Sequence, residues 1–176
     1  MTMTTNGSAT RQAIIETAKK MLYTRSFEEI SMVDVANARE ITAPTLYHYF
    51  QGKKELLTAA GNQIEEDILN RISIKFPRSM LAKLKLLTVI SMIVAYFVET
   101  KLPAAGLMED SVDRPVSFLR VRQRVLTLIK ELPGIKNADE DLCTLLGVIA
   151  GYVIYLKAHG KDPEGCETLI YNLVFK

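Results

Sequence analysis

Within the twelve positions from Thr42 to Lys53 stand Thr42, Thr45, Tyr47, His48, Tyr49 and Lys53. Hydroxyls, an imidazole and an ammonium at that density suit a polyanion with hydrogen-bonding edges, which is what a nucleic acid presents. Positive charge would supply affinity for phosphate. A hydroxyl at a helix start, with unpaired amides behind it, suits a phosphate oxygen, so Thr42, Thr45 and the amides around Ala43 would seat a helix on the backbone. Tyr47 and His48 would then approach base edges or nearby sugar-phosphate groups, while Tyr49 and Lys53 clamp the strand. Taken singly, each has a plainer reading: a tyrosine packs, an exposed histidine is solvated, and Lys53 and Lys54 are surface lysines.

Helices are what must position these groups. Thr42-Ala43-Pro44-Thr45 places an N-cap hydroxyl before Pro44 in a first turn, where the missing N–H costs nothing. Ser31-Met32-Val33-Asp34 has the capping-box form, a hydroxyl residue followed three positions later by an acid. Two short helices, Ser31 to Ala38 and Ala43 to Phe50, therefore have the length and spacing of a helix-turn-helix. Ahead of them, Thr10 is a candidate N-cap for a helix with Ile14, Ala18 and Leu22 on one face, and residues 1–9 read as a loose arm. Gly52-Lys53-Lys54-Glu55 opens a fourth helix carrying Leu56, Leu57, Ile64, Ile68 and Ile72, ended by Pro77. Later helices are predicted at 79–100, 115–132 and 138–158, with a last one started by Asp162-Pro163-Glu164; residues 101–114 read as irregular or briefly helical. The fold class is all-α: a head over 10–52 and a helical body over 53–176.

Bulk properties fit and exclude some classes. Hydrophobic residues make up 48% of the 176 and charged ones 24%, which rules out wholesale disorder. The net charge of +2 decides nothing about nucleic acid, so that case rests on local arrangement. Cys143 and Cys166 are the only cysteines and lie in no metal-ligand spacing, which calls for no metal and suits a reduced, cytoplasmic protein. Uncharged runs from Leu86 to Val98 (13 residues) and Leu142 to Leu156 (15 residues) fall short of the about 20 needed to span a bilayer and read as core helices. There is no Gly-rich phosphate loop, no His-Glu-x-x-His and no acid/base constellation around His48 or His159, so the sequence argues against an enzyme and calls for no cofactor.

Ile41-Thr42-x-x-Thr45-Leu46-Tyr47-His48-Tyr49-Phe50-x-x-Lys53-x-x-Leu56, preceded by Phe27-Glu28-Glu29-Ile30-Ser31 and Val35-Ala36, resembles the TetR (tetracycline-repressor-like) family over residues 10–57. The resemblance implies a sequence-specific DNA-binding transcriptional regulator, a repressor acting as a dimer on a palindromic operator, with contacts from positions 42–49 and from Lys53. Departures are visible. Arg39-Glu40 stands where the family usually has Ala-Gly, so Glu40 must adopt a left-handed backbone at a cost of about 1 kcal/mol or the turn must differ. Arg39 would add a cation the family lacks there. Ser26 and Pro44 replace usual glycines, which would shift the loop before Phe27 and the entrance of the recognition helix.

For the body, the resemblance implies dimerisation through the last two long helices and a small effector among the others. Gly147-x-x-x-Gly151, with Val148 and Tyr155, allows close backbone approach on a nearly uncharged helix, and Leu169, Ile170, Leu173 and Val174 would complete a homodimer interface. The same glycines would equally serve two helices crossing within one core. Met80, Leu84, Met92, Tyr96, Met108, Phe118 and Tyr152 offer an adaptable lining for an apolar effector, though such a stripe more often only packs. A helical protein-interaction or membrane-associated module without DNA binding is the competing reading.

Overall fold

The computed structural model describes residues 5–100, 102–108 and 117–175, except the side chains of residues 5, 6, 105 and 108. Every regular element among them is helical: α1 (Thr5–Leu22), α2 (Met32–Ala38), α3 (Ala43–Tyr49), α4 (Lys53–Ile72), α5 (Ala82–Glu99), α6 (Leu119–Lys130), α7 (Ala138–His159) and α8 (Cys166–Val174), with a 3-10 helix at Ala104–Met108. The helix α1 begins at Thr5, so Thr10 is interior to it and part of the expected arm is helical. Ser, Thr and Asn each cost only tenths of a kcal/mol against better helix formers, roughly 0.5, and an established helix extends over them readily. The described residues fall into two compact units that divide within α4, at Ile64 and Glu65, rather than at its start.

In the first unit, α1 packs on α2 and α2 on α3. Ile14, Ala18, Val35, Leu46, Phe50 and Leu56 are fully enclosed, the positions that the 3.6-residue period sets on one face of each helix. The capping box forms as expected: Ser31 Oγ accepts from the Asp34 amide at 3.1 Å, and Asp34 accepts from the Ser31 amide at 2.9 Å. Arg25 lies across this corner, donating to the Glu29 carbonyl and, at 3.2 Å, to Asp34. Ser26 donates its amide to Glu29 at 2.8 Å, so the loop before Phe27 closes by a carboxylate without needing a glycine.

In the second unit, α7 touches the 3-10 helix, α5, α6 and α8. Leu142, Leu145, Leu146, Ile149, Val153 and Leu156 bury one side of it. Asn137 caps its start and Gly160, at φ 59°, ends it in the left-handed conformation. Phe97 stands edge-on to both Tyr96 and Phe118, at 5.8 and 5.6 Å between ring centres. The start of α6 has no side-chain cap of its own. Glu65, buried on α4, takes that place from 55 residues away: it accepts from the Arg120 amide at 2.7 Å and the Val121 amide at 3.4 Å, and pairs with the Arg120 guanidinium at 2.7 Å. The expected start of α6 at 115 falls partly on residues 115 and 116, outside the described residues, and the helix is seen from Leu119.

Two expectations for the C-terminal helices change. The helix α8 begins at Cys166, after Gly165 takes φ 75°, rather than at Asp162-Pro163-Glu164; Glu164 and Gly165 instead form a turn closed by the Cys166 amide on the Pro163 carbonyl. By whole-helix length and a mean hydropathy of 1.5, α7 is long and apolar enough to cross a membrane, which its uncharged run alone was not. Cys143 is exposed on α7, whereas Cys166 is buried and its thiol is pushed up to about 11 by desolvation.

Candidate nucleic-acid interface

The interface is built on α3. Thr42 is its N-cap: its Oγ1 accepts from the Thr45 amide at 3.3 Å and pairs with the Thr45 hydroxyl at 2.8 Å. Pro44 sits in the first turn, as its fixed φ and lost N–H allow, and the cap is intact beside it. Leu46 and Phe50 are enclosed in the first unit, which fixes the helix's rotation. Thr42, Pro44, Thr45, Tyr47 and His48 consequently face solvent, Tyr47 at 54% of its full exposure, while Ala43 and Tyr49 are half-buried. His48 and Tyr49 meet edge to face at 5.3 Å.

The turn behind α3 resolves the question posed by Arg39-Glu40. Glu40 takes φ 55°, the conformation a glycine would adopt without cost. Its amide reaches the Asn37 carbonyl at 3.1 Å and the Ile41 amide reaches the Ala36 carbonyl at 3.0 Å, so α2 ends in a Schellman motif despite the glutamate. The turn geometry is kept and the strain is accepted. Arg39 is exposed beside it.

Charge in this unit is largely spent internally. Arg11 lies 4.6 Å from the centre of the Phe50 ring and 3.9 Å from Glu55, and Lys19 pairs with Glu16 at 3.2 Å. Lys53 is held as well: its ammonium donates to the Glu28 carbonyl at 3.1 Å and sits 4.5 Å from the centre of the Phe27 ring. Two carboxylates are held below their ordinary range. For Glu29 the leading cause is the Ser26 amide, and for Asp34 the Ser31 amide, with Arg25 adding to both.

The body residues singled out in the sequence divide. On α7, Gly147 and Val148 are half-buried and Gly151 and Tyr155 exposed; on α8, Leu169 and Leu173 are exposed and Val174 half-buried. Ile170 is the correction: it is fully buried with Cys166 against its own unit, because α8 carries two apolar stripes one residue apart. Ile154, 58% exposed, was missed, although it follows Gly151 by one helical turn. A Cβ added at Gly151 would meet nothing within 4 Å, so that glycine serves no close crossing among the described residues. Among the effector candidates, Tyr96 and Phe118 are core, Leu84 is 47% exposed, and Met80, Met92 and Tyr152 are half-buried. The Met108 side chain lies outside the described residues. A solvent-facing Leu84 and an enclosed Phe118 do not line one cavity.

Fold and site together define, among the described residues, an all-helical chain with a helix-turn-helix head whose helix α3 presents hydroxyl, phenol and imidazole groups outward. Residues 14–60 match the model of the bacterial regulatory proteins of the tetR family. It is 40% identical over 52 residues to the HTH-type transcriptional regulator EthR of Mycolicibacterium smegmatis, a match covering 30% of this chain and 24% of that regulator. Its fold resembles a tetR-family transcriptional regulator from Streptomyces coelicolor (TM-score 0.71, 22% identity, 95% of this chain and 78% of the other). It also resembles a TetR-like transcriptional regulator from Rhodococcus (TM-score 0.72, 15% identity, 99% and 100%). The sequence match to EthR thus spans about a quarter of that protein's length.

Proposed function

We propose that the protein is a sequence-specific DNA-binding transcriptional regulator that acts as a homodimer on a roughly palindromic operator. The observation that carries this is the division of α3: Leu46 and Phe50 enclosed, Thr42, Thr45, Tyr47 and His48 outward. A leading edge of that kind is what a helix entering a major groove needs. Thr42 and Thr45, with the amides around Ala43 and with Pro44 shaping the turn, seat the helix on phosphates. Tyr47 and His48 read, Tyr49 braces His48 and touches the strand, and Arg39 adds a cation at the turn.

The outward stripe of α7 and α8 supports the dimer. Gly151, Ile154, Leu169 and Leu173 leave an apolar surface exposed among the described residues, with Tyr155, partly covered by Lys161 and His159, beside it. A bilayer is the other apolar environment that α7 could satisfy, but seven of its residues already pack in its own unit, and a span would strip them of those neighbours. A two-fold pairing sets the separation of two heads, which on DNA must match about one helical turn or a multiple. For an apolar effector, the positions left by the core packing are Met80, Met92 and Tyr152.

Selection from random duplexes with the full-length protein tests the reading. Enrichment of a palindromic site, bound with an affinity that falls steeply as salt rises, is the expected result; a pool that shows no enriched site would sink it.

A further inference from the structure

The sequence places Lys53 against the DNA strand, yet in the structure its ammonium is already occupied, by the Glu28 carbonyl at 3.1 Å and the face of the Phe27 ring at 4.5 Å. We propose that Lys53 serves operator binding as a positioning residue, tying the Phe27-Glu28 loop to the first turn of α4 and thereby setting where α2 begins and how it backs α3. This rests on the DNA-binding reading above.

Four observations converge on it. Lys53 and Glu28 are 25 residues apart, so the contact closes the head from its last helix onto its first loop. The bonds of Arg25, Ser26, Ser31 and Asp34 described above run within 25–34, which stiffens that stretch internally without fixing it to α4. Three residues after Glu28 comes Ser31, the cap of α2, and α2 packs directly on α3. Finally, Lys53 is the first residue of α4, where the helix dipole disfavours a cation; a carbonyl and a ring face offset that penalty. Swinging the ammonium to a phosphate would leave the Glu28 carbonyl without this donor and give up the ring contact.

The two roles separate by salt dependence. A phosphate-contacting lysine contributes about 0.9 to the slope of log affinity against log salt, whereas a positioning residue contributes none. In full-length Lys53→Met, affinity for the selected duplex is expected to fall about tenfold, the order given by losing one charge-assisted hydrogen bond and one cation–ring contact, with the slope unchanged. Hydrogen exchange of residues 26–35 in the free protein is expected to quicken. Phe27→Leu, whose side chain carries no charge to lose, is expected to move affinity and exchange in the same directions with the slope again unchanged, and it carries the test alone if Lys53→Met fails to fold. A slope reduced by about 0.9 in Lys53→Met, wild-type affinity in either variant, or unchanged exchange over 26–35 overturns the proposal. Should the wild type select no duplex, the DNA reading fails, and the exchange comparison still decides whether Lys53 holds the loop.

Discussion

Single side chains carry three separable effects in the head. Glu40 holds φ 55°, so Glu40→Gly should raise the stability of the protein by about 0.5–1 kcal/mol, read as a higher denaturant midpoint. It should also raise affinity for every duplex, since it removes an acid from the turn beside α3. His48→Ala should change which bases are preferred, while Thr42→Ala weakens all duplexes alike; equal, sequence-blind losses in both would take His48 out of the reading role. Protonation supplies the third effect. Glu29 and Asp34 titrate below their ordinary values when folded, so their contribution is present above the unfolded carboxylate range and is lost as pH falls through the lower folded values. Head stability should therefore drop below about pH 4, and Asp34→Asn should flatten that part of the acid limb in a stability-against-pH titration.

At the scale of helices, what could be read from the sequence was what is local. The limits of α2 and α3 were legible because each start is written in adjacent residues, Ser31 with Asp34 and Thr42 with Thr45. The cap of α6 was not, because its carboxylate comes from Glu65, 55 positions away, and nothing near Phe118 announces it. Nor could the sequence say which of two stripes on α8 faces inward: Cys166 with Ile170, or Leu169 with Leu173. Both are apolar at helical spacing, and only the packing of α5 and α7 against α8 decides. Similarly, Tyr96 and Phe118 read as cavity lining until Phe97 is seen between them. The Glu65 link gives this scale its prediction. Glu65→Ala leaves two α6 amides without their acceptor and should cost about 1–3 kcal/mol, measured by thermal or denaturant unfolding, with Glu65→Gln recovering part of it.

For the molecule as a whole, the decisive property is its state of association. Sedimentation of the wild type should show a dimer at micromolar concentration. Gly151→Leu is the incisive variant: a Cβ at this position meets nothing within 4 Å among the described residues, so helicity and solubility should persist while the close approach of a second copy is blocked. Ile154→Arg should act alike by placing a charge on the apolar surface. A wild-type protein that sediments as a monomer, or variants that remain fully dimeric, would show that α7 and α8 meet some other partner. Loss of dimer should reduce operator affinity far more than any single head substitution, because one half-site then binds without the other.

The unequal fate of the two thiols has a practical corollary. With Cys166 enclosed and its thiolate suppressed at ordinary pH, a maleimide should find Cys143 alone, labelling the native chain at one point on α7 without any engineered mutation. Two such labels in a symmetric pair would form a molecular ruler across the two-fold axis, able to report any rearrangement of the paired bodies when an operator is engaged.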